Sequence, residues 1–379
     1  MSGTIACMDE KTRDRRSIAA RACAIAAAVL LAASFALRQL FAYLGTSLFP
    51  AYRNISRAWI SLLAHLMSIV PVALWDILAL ALIAVVVAVL VRCIRRRRGF
   101  ALWAAVVALV VSWTYFSFTA GWALNHYAPP LARELGLEVR ESSVDELEDA
   151  ARYYLEQAAR LAPQVPRDAD GHLVRQDFFD LAGIAGTSYG ALAQRWEIFD
   201  GPQLPVKALI VYGPILLYSG HTGIFWAPTG ESGVPLDCAD ADQPFIMCHE
   251  AAHRLGIASE REANFAAFLA CTANEDIRFR YAGYLSAFGY CLNALASADL
   301  ARAQQMLDDF AGSDLYEGAV LVFVDRSDTR AHYDAYKGPF RDVGQAVNDS
   351  YLRSFGEEEG VRSYGLVVDY LIAWHKAQG

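Results

Sequence analysis

Phe245-Ile246-Met247-Cys248-His249-Glu250-Ala251-Ala252-His253-Arg254-Leu255-Gly256 is the stretch around which the chain is organised. Laid on an α-helix, His249 and His253 fall one turn apart on one face, the spacing of a pair of zinc-ligating imidazoles. Glu250 then turns its carboxylate toward the same metal, where it can take a proton from a bound water. The apolar residues Phe245, Ile246 and Met247 read as the buried start of this helix, and Gly256 reads as its stop. Cys248 points about 100° away from His249 around the helix, so thiolate ligation is not expected.

Two imidazoles make a catalytic site only with a third protein ligand and an open coordination position. Past Gly256, Ser259-Glu260-Arg261-Glu262-Ala263-Asn264 opens a second helix, with Ser259 as N-cap and Glu262 three residues on as the partner in a capping box. Phe265, Phe268, Leu269 and Thr272 form its apolar face. Both carboxylates sit in the first turn, where either also complements the helix dipole. The capping box claims Glu262, which leaves Glu260 as the preferred third ligand and Glu262 as the alternative. Asn264 lies one turn below Glu260 and can orient a ligand or a neighbouring imidazole.

At these residues the chain resembles the gluzincin metallopeptidases, in which His-Glu-x-x-His is followed by Glu-x-x-Ala-Asn/Asp at the head of the next helix. The resemblance implies His249, His253 and Glu260 as ligands of one Zn²⁺ per chain, Glu250 as general base, and Asn264 behind the ligands. Only six residues separate the two motifs here, fewer than in most gluzincins, so Glu262 stays open as the third ligand. The chain also resembles an uncharacterised bacterial family of polytopic membrane proteins, a domain of unknown function. That likeness takes in Gly223-Ile224-Phe225-Trp226-Ala227-Pro228-Thr229-Gly230-Glu231, the metal motif, Tyr281-Ala282-Gly283-Tyr284, Asn348-Asp349-Ser350-Tyr351-Leu352 and Ser363-Tyr364-Gly365.

Three stretches are long and apolar enough to span a bilayer, which takes about 20 residues. They run over about 18–37, 71–91 and 100–120, with Trp103, Trp113, Tyr115 and Trp122 as interfacial anchors of the third. Arg38 directly after the first stretch argues against a cleaved signal peptide. Basic clusters at Lys11–Arg21 and Arg92–Arg98 set a cytoplasmic N-terminus, so a loop of about thirty residues after the first span, and everything past residue 121, fall outside. Residues 1–120 hold 13 Lys/Arg and 4 Asp/Glu, a balance of +9, which leaves 20 basic and 37 acidic residues, a balance of −17, beyond. So acidic a domain does not suit phosphate, and nucleic acid is not an expected partner. The expected organisation is a membrane domain at 1–121 and an extracytoplasmic domain at 122–379.

In that second part, 142–161 reads as an amphipathic helix capped by Ser143 and Glu146, and 181–196 as another helix. Val206–Tyr212 and Gly223–Ala227 are the strand candidates. Helices follow at the metal motif, 259–273, 284–295, 297–310, 344–352 and 363–377. The fold class expected is mainly α with a small β-sheet, an α+β zincin-like catalytic domain behind three N-terminal transmembrane helices. Cys238, Cys248, Cys271 and Cys291 lie in a disulfide-permitting compartment, and a Cys248–Cys271 staple is one of the open pairings.

Gly223, Ile224, Phe225 and Trp226 would matter as an edge strand, since an extended peptide can pair with one by backbone bonds alone; a buried hairpin is the other reading. Glu231 is read as solvating a turn. Tyr364, Tyr281 and Tyr284 are candidate oxyanion or substrate contacts, with Tyr351, His332 and His375 also considered. His221 and His126 lack a motif partner and read as surface or internally satisfied histidines. The expected function is a membrane-anchored zinc metallopeptidase acting on a peptide or protein in the cell envelope. A zinc-organised sensor or assembly protein without activity is an alternative, as is a zinc amidohydrolase acting on a non-peptide envelope substrate.

Overall fold

The computed structural model describes residues 2–355 and 367–378, with side chains from residue 14 onward. It divides into two compact units, Met1–Ile60 with Leu74–Ala128 and Ala227–Thr229, and Ser61–Ala73 with Pro129–Trp226 and Gly230–Gly379.

The first unit is built on α1 (Ser2–Met67), α2 (Leu74–Arg96) and α3 (Phe100–Gly121). Helices long and apolar enough to cross a membrane lie within Asp14–Met67, Leu74–Arg96 and Phe100–Tyr127. Large apolar side chains such as Val29, Phe35, Ile83, Val87 and Val111 stand exposed on them, which suits a lipid surround and not water. The turn from α2 to α3 uses two left-handed residues, Arg97 (φ 47°) and Gly99 (φ 90°), and the Trp103 indole N–H then donates to the Val86 carbonyl at 3.0 Å.

The expected outer loop after the first span is instead helix. α1 continues without a break through Pro50 to Met67. Its cause is a stripe of buried positions at Phe41, Gly45, Phe49, Tyr52, Ser56, Ile60 and Ala64, spaced three or four apart, which only a helix presents on one face. At about 1.5 Å per residue, 66 residues reach about 100 Å, roughly three times the hydrocarbon core. Ser56 ties the stripe down, donating to the Gly121 carbonyl at 2.7 Å.

The second unit opens with α4 (Leu131–Leu135) and α5 (Val144–Leu161), whose capping box forms as expected: Ser143 Oγ accepts from the Glu146 amide at 3.3 Å and Glu146 Oε2 from the Ser143 amide at 2.9 Å. The helix expected over 181–196 is two pieces, α6 (Phe178–Thr187) and the short α7 (Gly190–Ala193). The break falls where Tyr189 turns inward to donate to the Cys248 carbonyl at 2.9 Å. Next come β1 (Lys207–Leu209), α8 (Tyr212–Tyr218), β2 (Ile224–Trp226) and β3 (Glu231–Pro235). The strand expected over 206–212 is therefore only three residues long before the chain coils into α8.

β3, which sequence reading did not anticipate, is the central strand. It runs parallel to β1 (Ala208 opposite Val234) and antiparallel to β2 (Phe225 opposite Ser232), which gives the order β1-β3-β2. Glu231 does not solvate a turn; it is buried and ion-paired with Lys207 on β1 at 2.9 Å. Pro71–Ala73 lies along the other side of β1, with the Ala208 amide bonded to the Pro71 carbonyl at 3.1 Å and the Ala73 amide to the Ala208 carbonyl at 3.0 Å.

Helices make up the rest: α9 (Gln243–Arg254), α10 (Glu260–Thr272), α11 (Ile277–Ala298), α12 (Leu300–Phe310), α13 (Tyr316–Asp334), α14 (Phe340–Ser354) and α15 (Val367–Gln378). Expected helices at 284–295 and 344–352 are parts of α11 and α14, and α13 was not anticipated. α5 and α11 form the centre of the core, where Ala150, Ala151, Tyr154 and Ala158 are buried against a helix carrying Phe279, Ala282, Phe288 and Leu295. α13 crosses α5 at Gly318, where a Cβ would come within 2.0 Å of the Ala159 carbonyl oxygen. Cys238, Cys248, Cys271 and Cys291 are free thiols.

One buried ion pair anchors α13. Arg167 grips Asp325 with both arms, at 2.9 and 2.7 Å, and Tyr281 also donates to that carboxylate. Replacing Asp325 by Ala leaves Arg167 nearly buried without its partner, which typically costs about 3–5 kcal/mol. Thermal or denaturant unfolding of the full chain in detergent is expected to show that loss.

Candidate metal centre

α9 begins with Pro244 in its first turn, where a missing amide is harmless, and it lies against β3. Three side chains hold it in place. Ser232 Oγ donates to the Glu250 carbonyl at 2.7 Å, Tyr189 reaches Cys248, and Arg254 donates to the Leu204 and Pro205 carbonyls. Burial brings the Arg254 guanidinium down to about 10.

The helix ends in a Schellman turn. Gly256 is left-handed (φ 90°), its amide bonds back to the His253 carbonyl at 3.0 Å, and the Ile257 amide bonds to the Ala252 carbonyl at 3.2 Å. This turn leaves the Ile257 carbonyl pointing at His253, whose Nδ1 meets it at 2.7 Å. A carbonyl oxygen can only accept, so His253 carries its proton on Nδ1 and presents Nε2 as the free donor atom. His249 is oriented the same way by the side-chain oxygen of Asn264, 2.9 Å from its Nδ1.

Both Nε2 atoms and one carboxylate oxygen converge. His249 Nε2 lies 3.1 Å from His253 Nε2 and 3.1 Å from Glu260 Oε2, and His253 Nε2 is 3.7 Å from the same oxygen. The two rings stand nearly perpendicular, at 87°. A tetrahedral ion with bonds near 2.0–2.1 Å holds its ligand atoms about 3.3 Å apart, a value these three separations bracket. His249, His253 and Glu260 could therefore hold a metal ion, and the donor set of two imidazoles and a carboxylate suits zinc.

Burial opposes charge on His253, but the Glu260 carboxylate outweighs it and lifts the imidazole to about 9. Burial likewise opposes charge on Glu260, and the two imidazoles hold it well below the usual carboxylate range. A cation thus finds a ready carboxylate, and the proton it must displace is on His253.

The structure brings Glu260, not Glu262, to the imidazoles. The expected capping box at Ser259 does not form, for its side chain makes no cap bond. Glu262 Oε1 instead accepts from the Leu131 amide and the Tyr370 hydroxyl, each at 2.8 Å, and so pins α4 and α15 to the side of α10 away from the cluster. Glu250 is buried, and its Oε2 has no hydrogen-bond partner among the described residues. Desolvation raises this carboxyl to about 7, against the pull of His249 and His253. Gly223, the residue before β2, lies so close that a Cβ there would fall 2.3 Å from Glu250 Oε1.

The tyrosines proposed from sequence are placed elsewhere or not described. Tyr281 is committed to Asp325, and Tyr284 packs in an aromatic group, tilted against Tyr154 and edge-on to Phe268. Tyr364 lies outside the described residues. His332 Nε2 donates to the Asp237 carbonyl, His375 stacks on Tyr153, and the Tyr351 ring packs tilted against Phe355.

His221 is the residue that sequence reasoning set aside and the fold draws in. It sits in the loop leading to Gly223, with Nδ1 3.0 Å from Ser219 Oγ. Burial lowers its pKa, while the Glu260 carboxylate acts on it in the opposite sense, so it lies within electrostatic reach of the cluster. Only its nearness to the uncharged Gly223–Trp226 segment could have flagged it from sequence.

Residues 52–372 match the family described as Protein of unknown function (DUF3810). The chain belongs to that family. No curated protein and no solved structure matches it.

For this DUF3810 chain, Asn264→Ala tests the orienting bond. Removing such an outer partner of a ligating histidine typically weakens metal binding about 10–100-fold. Zinc titration of the full chain in detergent against a chromophoric chelator reads that loss, with far-UV circular dichroism unchanged.

Proposed function

We propose that this protein is a membrane-anchored, zinc-dependent peptidase whose metal centre faces out of the cytoplasm. The observation that carries the reading is the convergence of two imidazole Nε2 atoms and Glu260 Oε2 beside a buried carboxylate, Glu250, whose Oε2 has no hydrogen-bond partner among the described residues. When bound there, zinc supplies a Lewis acid that polarises a carbonyl and brings the pKa of an attached water toward 7.

The chain's own residues divide the remaining work. His249 and His253 donate their Nδ1 protons to Asn264 and Ile257, so that Nε2 is the atom each turns to a metal once the second proton of His253 is displaced. Glu260 balances the ion's charge. Glu250, raised to about 7 by burial, can both take a proton from the attacking water and return it to the leaving amine. That poise requires a dry pocket, which Gly223 helps to make by letting main chain close over the carboxylate. β2 begins at that point and is an end strand among the described residues, so a substrate laid along it in extended form would bring a peptide group to Glu250. His221, on the loop that leads to Gly223, is a candidate donor to a developing oxyanion. The zincin-like character of the fold belongs to this reading and is supported by the small mixed sheet packed on α9. The outward-facing metal centre rests on the basic clusters at the N-terminus and between α2 and α3.

Metal analysis and a peptide-library assay on the full chain test the reading together. Glu250→Gln is expected to retain stoichiometric zinc and lose turnover by several orders of magnitude, whereas His249→Ala loses the zinc itself. Absence of zinc from the purified wild-type chain would sink the proposal. His221→Ala is expected to lower kcat about 10²–10³-fold, the size of a lost oxyanion donor, with zinc content and KM little changed. An unchanged kcat would return His221 to a structural role.

A further inference from the structure

Between Lys207 and Glu231 the chain runs for 23 residues, 208–230, without Asp, Glu, Lys or Arg. No other stretch beyond residue 121 goes as far uncharged, and this one belongs to a region whose balance is −17. The next longest, within α11, is core. This one reaches the surface: Ile215 on α8 is 55% exposed, Ile210 just before it 50%, and Tyr218, one ring edge of which meets Tyr336, 46%. Water alone is an unfavourable surround for such a cluster on a strongly acidic domain.

Its position says what covers it. Ala208 is hydrogen-bonded on both sides of its peptide to Pro71 and Ala73, and the membrane-crossing helix α2 starts at the next residue, Leu74. Tyr212, where α8 begins, is four residues on from Ala208, at most about 14 Å of chain. α8 itself has seven residues and is about 10 Å long. α8 therefore begins within about 14 Å of chain of the point where α2 starts, close enough to reach the boundary zone between the polar headgroups and the hydrocarbon, where tyrosines and short apolar faces are favoured.

We propose that α8, through Ile215 and Tyr218, is seated in the membrane boundary, so that the metal centre serves polypeptides anchored in the same bilayer and cut close to its surface. The seating stands on the residues above; the substrate class rests on the peptidase reading. The link between them is covalent and short. α8 leads through Ser219–Thr222 directly to Gly223, which lies on Glu250. The stretch itself holds no basic residue, and the one beside it, Arg341, packs on Gly220 past the end of α8, so the contact proposed for Ile215 is apolar.

The test uses the full chain in nanodiscs of phosphatidylethanolamine and phosphatidylglycerol. A photoreactive diazirine amino acid is placed at Ile215, at Ile83 on α2, or at Leu300, an exposed leucine on α12. Mass spectrometry is expected to find lipid adducts at 215 and 83 and none at 300. No lipid adduct at 215 beside one at 83, or an adduct to a second copy of the chain, would overturn the seating.

A second arm compares one cleavable sequence presented on a single transmembrane helix in the same nanodisc with that sequence as a free peptide. Ile215→Asp is expected to slow cleavage of the anchored form about tenfold or more and leave the free peptide unchanged. Equal effects on both forms would overturn the substrate class. Lipid adducts at 215 with neither form cut by wild type would remove the peptidase reading and confirm the seating.

Discussion

The centre depends on how α9 stops. Gly256 takes a left-handed conformation that a side chain would resist, and the reversal it allows has two consequences at once. It sends the chain back along α9 as α10, so that Glu260, only seven positions after His253, faces both imidazoles. It also aims the Ile257 carbonyl at His253 Nδ1 and so sets that ring's tautomer. One backbone conformation therefore supplies the third donor atom and half of the outer support. Asn264, a turn further along α10, supplies the other half.

What lies behind the centre is arranged to keep it still. Metal-site geometry tolerates little slack, and ligands on helices are better held than ligands on loops. α9 is bonded on three sides, by Ser232 from the sheet, Tyr189 from the break between α6 and α7, and its own Arg254 to the segment before β1. Each of these bonds ends on a backbone carbonyl, so each fixes the helix axis without competing for the ligand side chains. The same logic explains Glu262: its place in the first turn of α10 is used to lock α4 and α15 in position, which frees its neighbour for the cluster.

Sequence reading went furthest where the interaction is local. The α9 motif, its glycine stop and the α5 capping box rest on contacts within four or five residues and are found where they were expected, and the three apolar stretches fall within helices long and apolar enough to cross a membrane. It failed where distant contacts overrule local preference. β3 (Glu-Ser-Gly-Val-Pro) contains a glycine and a proline and begins with a glutamate, all poor strand residues, yet it is the central strand because Glu231 meets Lys207 and Ser232 meets α9. α13 carries the β-prone run Ala-Val-Leu-Val-Phe-Val but is helical, with Gly318 seated on α5 and Asp325 held by Arg167. The missing loop after the first span is a different failure, since its helical stripe was present in the sequence and only the expectation of a short span hid it.

Sequence alone determined that two imidazoles and a carboxylate occupy one face of one helix, that a second helix with two acidic residues follows a glycine turn, and that apolar helices precede both. Spacing along a helix carries that information, because 3.6 residues per turn is a property of the backbone. Tertiary structure decided which acid meets the imidazoles, which glycine lies over Glu250, and that Tyr281 is committed to Asp325 and Tyr284 to an aromatic group. Those outcomes turn on bonds between residues tens to hundreds of positions apart, such as Glu262 with Leu131 and Tyr370, and no local pattern encodes which of two neighbouring carboxylates a distant amide will claim.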